Sequence, residues 1–242
     1  MPDYTQSLHR LKDEVNQWRQ LQAHIEGVTA NIKDAIAATL ASAPVRNLPF
    51  ELDRTDGGNP KGPEAKWERA IWDLWGRDFR SPSYFLDDVC QYIHTFAMPL
   101  YATQNQDGWG EVDLVGVDSN YLPVVIELKE PGAPDTPLKI MLQAAAYGIA
   151  IQKVWGEGPL REAWKHSISQ IARQGVADTL PDKLETVHVV GLVPDGYLAA
   201  QGPEKRGIFE QTKEGMHRLV SILEKYGLHW TFASISGAER IV

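Results

Sequence analysis

The stretch Pro123-Val124-Val125-Ile126-Glu127-Leu128-Lys129 constrains the fold of this chain more than any other. Val124, Val125, Ile126 and Leu128 are strand formers in near-continuous succession, which predicts a strand buried on both faces. The end of the run breaks that pattern. Glu127 and Lys129 put a carboxylate and an ammonium where burial is costly unless the charges are paired or bound to a metal. Residues two apart in a strand share a face, so Glu127 and Lys129 emerge side by side while Leu128 turns to the other face. Rule-breaking confined to two residues of an otherwise consistent element is expected at a functional site.

The preceding segment, Glu111 to Val117, alternates as a second strand. Asp118-Ser119-Asn120-Tyr121 between them has turn-forming composition, so the two strands form a β-hairpin. Asp113 can then lie beside Glu127. Two carboxylates and the Leu128 backbone carbonyl make a partial cage of hard oxygen ligands, the kind suited to Mg²⁺, which keeps several waters and shares phosphate oxygens. The Lys129 ammonium is placed to orient a water near such an ion. Together these groups fit metal-assisted hydrolysis of a phosphodiester.

Two helices flank the hairpin. Glu64 to Trp75 places Trp67, Ile71, Trp72 and Trp75 on one side and carries Glu68, a candidate third carboxylate for the metal, with Glu64 competing for the role. Pro137 to Ile151 is an alanine-rich helix on which Gln143 and Tyr147, four apart, share a face. Arg69, with Lys61, Lys66, Arg77 and Arg80, offers local positive potential for a phosphate backbone, diluted by Glu64, Asp73 and Asp78. Trp109 sits in a glycine-flanked loop beside the hairpin, where stacking on a base competes with packing. Glu111 shares the face of Asp113 and reads as solvent-facing or lysine-paired. His166 reads as part of a solvated helix face. Cys90 and His94, four apart on an expected helix, read as core or interface residues.

Around this centre, Leu8, Leu11, Val15, Trp18, Leu21, Ile25, Val28, Ile32 and Ile36 recur at spacings of three and four. They predict helix from residue 3 to about 40, with Gly27 as the expected break. The stripe is a packing face or a surface for a second copy or partner. Residues 41–63 are rich in turn signals and mark a boundary between an N-terminal helical arm with its linker (1–60) and an α/β domain (61–242). A short helix is expected around Phe85 to Phe96, with a strand as the alternative, and a short strand at Leu100 to Gln104. Helix at Leu160 to Gln174, strand at Val187 to Val193, helix at Gly207 to Tyr226 and strand at Leu228 to Ile235 complete the chain. This mixed order implies a sheet flanked by helices.

A hydrophobic share of 43% and a charged share of 23% exclude wholesale disorder. Cys90 is the one cysteine, which excludes an internal disulfide and a thiolate zinc site and fits a reducing compartment. The polar start, Met1 to Arg10, lacks the apolar core of a signal peptide, and no apolar run approaches a bilayer span, so a cytoplasmic location is expected. The net charge of −8 argues against a small basic protein that holds nucleic acid by bulk charge.

Asp113, then Glu127-Leu128-Lys129, then Gln143-Ala144-Ala145-Ala146-Tyr147 resembles the PD-(D/E)XK nuclease superfamily, and the Gln-x-x-x-Tyr element resembles its RecB-like branch. Gly110-Glu111-Val112-Asp113-Leu114 followed by Val-Val-Ile-Glu-Leu-Lys is also similar to archaeal-type single-strand or mismatch endonucleases of that branch. Val112 stands where the family's proline would be. The resemblance implies a restriction-endonuclease-like αβββαβ core with a mixed sheet, Mg²⁺ or Mn²⁺ as cofactor, and nucleic-acid phosphodiesters as substrate. It implies Asp113 and Glu127 as metal ligands, Lys129 as catalytic lysine, and Gln143 and Tyr147 as an active-site pair. The expectation is a metal-dependent enzyme acting on DNA, with RNA a further candidate. The alternative is a non-catalytic or partner-activated module of the same fold that binds nucleic acid or protein, such as a subunit of a defence or mobile-element system.

Overall fold

The computed structural model describes residues 1–44, 50, 52, 62–76, 85, 86, 89–100, 109–171 and 175–235. A five-stranded mixed open sheet runs through it in the order β1-β2-β3-β4-β5. The strands are β1 (Tyr92–Pro99), β2 (Glu111–Val117), β3 (Pro123–Leu128), β4 (Val187–Val193) and β5 (Leu228–Ser234). β1, β2 and β3 pair antiparallel, while β3, β4 and β5 pair parallel. The change of sense follows from the connections. A five-residue turn joins β2 to β3, and parallel neighbours need a crossover, normally helical.

The helices are α1 (Leu8–Glu14), α2 (Leu21–Ser42), α3 (Pro63–Trp75), α4 (Pro137–Gly156), α5 (Pro159–Ile171), α6 (Tyr197–Ala200) and α7 (Pro203–Glu224). α4 is the crossover from β3 to β4, and α7 lies between β4 and β5. α4 begins on Thr136, whose hydroxyl accepts from the Lys139 N–H, and has Pro137 at its first position. Its small residues let it settle closely on the sheet. At Gly148 a Cβ would lie 2.6 Å from Val189 and 2.9 Å from Leu228, closer than packed carbons approach.

Two cores result. One lies between the sheet and α4, continuing out to α1, α2, α5 and α7. The other lies under α3, built from Ile71, Phe85, Leu86, Ile93, Phe96, Leu114, Ile126 and Leu128. β3 is buried at every position, as its apolar run predicts, because both faces of the sheet are covered.

The N-terminal stripe is an internal packing face. Leu8, Leu11, Val15, Leu21, Ile25, Val28, Ile32 and Ile36 are buried, with α1 on α4 and α2 on both α4 and α7. The helix breaks between Val15 and Leu21 rather than at the expected Gly27. Asn16 and Trp18 instead give their side chains to the 134–136 loop, and Gln17 is extended. Gly27 is helical and admits the Tyr4 ring, which would lie 2.4 Å from a Cβ there.

The expected helix from Phe85 to Phe96 is also corrected. Tyr92–Pro99 is strand β1, paired with β2 and bulged between Ile93 and Thr95. Pairing with a neighbour overrides the local preference. Cys90 and His94 therefore do not share a helix: Cys90 Sγ packs at Gly116, and His94 lies on β1 beside Trp164. Leu100 is outside the strand, and the rest of the expected strand at 101–104 lies outside the described residues. So do most of the 41–63 linker and the end of the helix expected at 160–174. No helix among the described residues is long and apolar enough to cross a membrane.

Candidate active site

The β2–β3 ladder places the first two candidate carboxylates together. Its last paired residues are Leu114 and Ile126, so the next step along both strands brings Asp113 to Glu127. The ladder stops there because a side chain takes over. Asp113 Oδ2 accepts the Leu128 N–H at 2.8 Å. On the other side of β3, Glu127 pairs with Gly191 and the Lys129 N–H donates to the Leu192 carbonyl at 2.9 Å. β3 is thus held from both sides up to the residue that carries the ammonium.

Glu127 and Lys129 are both buried, and Lys129 Nζ donates to Glu127 Oε1. The same ammonium lies 3.4 Å from Glu64 on α3 and 3.9 Å from Asp135 in the loop before α4. The other oxygen of Glu127, Oε2, is buried with no hydrogen-bond partner. Glu68, one helical turn beyond Glu64, faces the same cluster and feels Glu64, Glu111, Glu127 and Lys129.

The electrostatics follow from several carboxylates meeting in a partly dehydrated space. Burial pushes the Glu68 carboxyl up to about 7, with Glu64, Glu111 and Glu127 adding to the shift. Burial, and then the Glu127 charge, raises Asp113 well above the usual carboxylate range. Burial also raises Glu127, with Lys129 opposing it. Burial by itself would lower the Lys129 ammonium, but Glu127 and Asp113 outweigh it and hold Lys129 charged, above the ordinary lysine range.

α4 supplies the next wall. Tyr147 is buried and hydrogen-bonded to Gln143, four residues earlier on the same face. Burial, then Glu127 and Asp113, keeps the phenol protonated above its usual range. Sequence spacing and tertiary position agree here, because α4 follows β3 directly and lies across it.

The remaining candidates are placed differently. Trp109 is 2% exposed and stacked on His9 of α1, with ring centroids 4.6 Å apart and planes within 8°. Its ring packs inside the protein rather than standing as an exposed stacking surface. Arg69 pairs with Asp73 at 3.0 Å and lies over Trp72 and Phe96. Leu128 turns its side chain into the core under α3, as the alternation predicts. Glu111 and His166 are exposed. Lys61, Arg77 and Arg80 lie outside the described residues.

The donor set fits a hard divalent cation. Among the described residues, no three His, Cys, Asp or Glu side chains form a complete ligand group. A pair of carboxylates is what Mg²⁺ ordinarily takes from a protein while keeping waters. Asp113 and Glu127 are such a pair, and the partnerless Glu127 Oε2 is an acceptor a cation would satisfy.

No protein-family model, curated protein or solved structure matches the chain.

Sequence reading missed Asp135 and the groups that hold it. Asp135 pairs with Lys139 at 2.9 Å and accepts from Asn16 at 3.0 Å. Lys12 of α1 acts on Glu127 as well. Asp135 precedes Thr136-Pro137, which reads as a helix start, so the local pattern hides its second role. Asn16 lies more than a hundred residues away and carries no signal at all.

Proposed function

We propose that this chain is a Mg²⁺- or Mn²⁺-dependent nuclease of PD-(D/E)XK type that hydrolyses DNA phosphodiesters. The observation that carries the reading is the buried Glu127, with one oxygen on Lys129, the other without a partner, and Asp113 beside it. The mixed sheet with α3 before it and α4 as crossover supports a restriction-endonuclease-like core.

Asp113 and Glu127 would hold the ion, with Glu68 as a further carboxylate facing the same space. The ion supplies Lewis-acid polarisation of the phosphate and a more acidic water. Lys129, held charged, places a fixed positive group against the phosphate oxygens and orients the attacking water as a donor. Tyr147, kept protonated and fixed by Gln143, is a second donor at the same wall.

The test uses the whole chain with single-stranded DNA, duplex DNA, plasmid and RNA, in Mg²⁺, Mn²⁺ or EDTA. The expected result is metal-dependent cleavage of DNA that is absent from Lys129→Ala and Asp113→Ala. Binding without cleavage of any substrate, unaffected by EDTA, would instead identify a non-catalytic module. Cleavage of RNA alone would move the substrate and leave the chemistry.

A further inference from the structure

The loop between β3 and α4 is fastened with unusual density. The Trp18 Nε1–H donates to the Pro134 carbonyl at 3.1 Å, and the Gln201 amide donates to the Ala133 carbonyl at 2.8 Å. The Tyr197 hydroxyl donates to the Asp135 carbonyl. Asn16 makes two bonds at once. Its amide N–H donates to Asp135 Oδ1 at 3.0 Å, and its carbonyl oxygen accepts the Thr136 N–H at 2.8 Å.

These groups come from the break between α1 and α2 and from the segment around α6, both remote in sequence from the loop. What they fix is the Asp135 carboxylate. Its Oδ1 is taken by Asn16 and Lys139, which leaves Oδ2 directed at the Lys129 ammonium 3.9 Å away. Lys139 is tied in turn to Asp13 of α1 at 3.4 Å, and Asp13 lies 3.8 Å from Lys12. Charges of alternating sign therefore run from Lys12 through Asp13, Lys139 and Asp135 to Lys129 and Glu127.

We infer that Asp135, held by Asn16 and Lys139, is a positioning residue for Lys129, and that the break between α1 and α2 is thereby part of the site. The inference rests on the nuclease reading for its consequence in catalysis, but not for its geometry. Glu127 and Glu64 hold the ammonium from β3 and α3. Asp135 adds a carboxylate from the β3–α4 loop that restricts its direction further, while Glu127 Oε2 stays without a partner. Such placement matters because small displacements of a reacting group have large effects on rate.

The experiment compares Asp135→Asn, Asn16→Ala, Lys139→Met and Gln201→Ala in the full chain. Gln201 fastens the same loop but does not touch Asp135, so it reports a purely structural role. The first readout is independent of activity: acetylation of lysines by dilute acetic anhydride, followed by peptide mass spectrometry, with exposed Lys33 as internal reference. Lys129 is expected to acetylate several-fold faster in the Asp135, Asn16 and Lys139 variants, and at the wild-type rate in Gln201→Ala. The second readout is cleavage. The same three variants are expected to lose kcat by roughly tenfold to a hundredfold with KM unchanged.

Lys129 labelling that is unchanged in folded Asp135→Asn and Lys139→Met, or raised equally in Gln201→Ala, overturns the positioning role. Asp135→Asn keeps the shape of the side chain, so a fold lost in Asn16→Ala alone does not decide the matter. If the labelling changes as expected while the wild-type protein cleaves nothing, the positioning of Lys129 stands and the nuclease reading falls.

Discussion

The Lys129 ammonium is ion-paired with Glu127, two residues earlier on the same chain, and both are buried at the end of β3. Removing one partner of a buried pair leaves an uncompensated charge, which is destabilising by about 3–5 kcal/mol. Lys129→Met is therefore expected to lower stability toward that range at neutral pH, in urea titrations followed by circular dichroism. Glu127→Gln with Lys129→Met is expected to recover part of the loss, because the Glu127 charge is removed while those of Asp113, Glu64 and Asp135 remain. Equal stability of the single and double variants would show that the two groups do not depend on each other.

Asp113→Asn separates the ligand role from the structural one. The Leu128 N–H needs an acceptor, and the Asn side-chain oxygen can supply it. The variant should keep its stability within about 1 kcal/mol of the wild type, the net worth of an ordinary hydrogen bond. It should lose Mn²⁺ binding in calorimetry and metal-dependent cleavage. Retained Mn²⁺ affinity in Asp113→Asn would remove Asp113 from the ligand set.

Glu68 makes stability depend on pH with a definite sign. Its carboxyl is raised from an ordinary 4.5 to about 7 by burial first and by Glu64, Glu111 and Glu127 after it. The folded state favours the protonated form, so the benefit is fully present below about 4.5 and is lost as pH rises through about 7. Glu68→Gln should remove this component. It should therefore be more stable than wild type at pH 8, by on the order of 1 kcal/mol after allowance for solvent screening, and nearly equal at pH 4.5. Denaturant midpoints at the two pH values measure the difference.

Gly148→Ala sets two effects against each other. Alanine gains about 1 kcal/mol of helix propensity over glycine. Its Cβ, however, would meet Val189 at 2.6 Å and Leu228 at 2.9 Å, and overpacking of a tight core costs about 1–3 kcal/mol. The packing penalty is expected to win, giving a lower melting temperature. Because α4 also carries Gln143 and Tyr147, the same change should reduce activity in the folded fraction.

Cys90 provides a probe of unfolding. Burial pushes its thiol up to about 12, so little thiolate forms at neutral pH. Native protein should react with a disulfide reagent far more slowly than urea-unfolded protein, and the rate should follow the unfolding transition. Immediate stoichiometric reaction of the native protein would contradict the buried position.

The local pattern carried a good deal. Four apolar residues around Glu127 predicted a doubly buried strand, and alternation put Glu127 and Lys129 together with Leu128 opposed. The turn at Asp118 fixed the hairpin, and the i,i+4 spacing paired Gln143 with Tyr147. Each of these depends on backbone period alone, which is why one sequence suffices to read it. The local pattern from Phe85 to Phe96 favours helix with strand as the alternative, because the strand character of β1 comes from its pairing with β2. Gly27 looks like a helix break in sequence because the Tyr4 ring that fills its missing side chain comes from a distant part of the chain.

By itself, the sequence determined an α/β chain with an apolar strand ending in two charges that needed partners. Only the tertiary structure decided who those partners are. It put Glu64, one of the two α3 carboxylates the sequence offered, on the Lys129 ammonium, and brought Asp135 from the loop after β3. It turned the N-terminal stripe inward onto α4 and α7, and ended α1 at Glu14 so that Asn16 and Trp18 reach that loop. The physical reason is range. Helix and strand periods act over a few residues, whereas compensation of a buried charge depends on whichever groups the completed fold brings within a few ångströms.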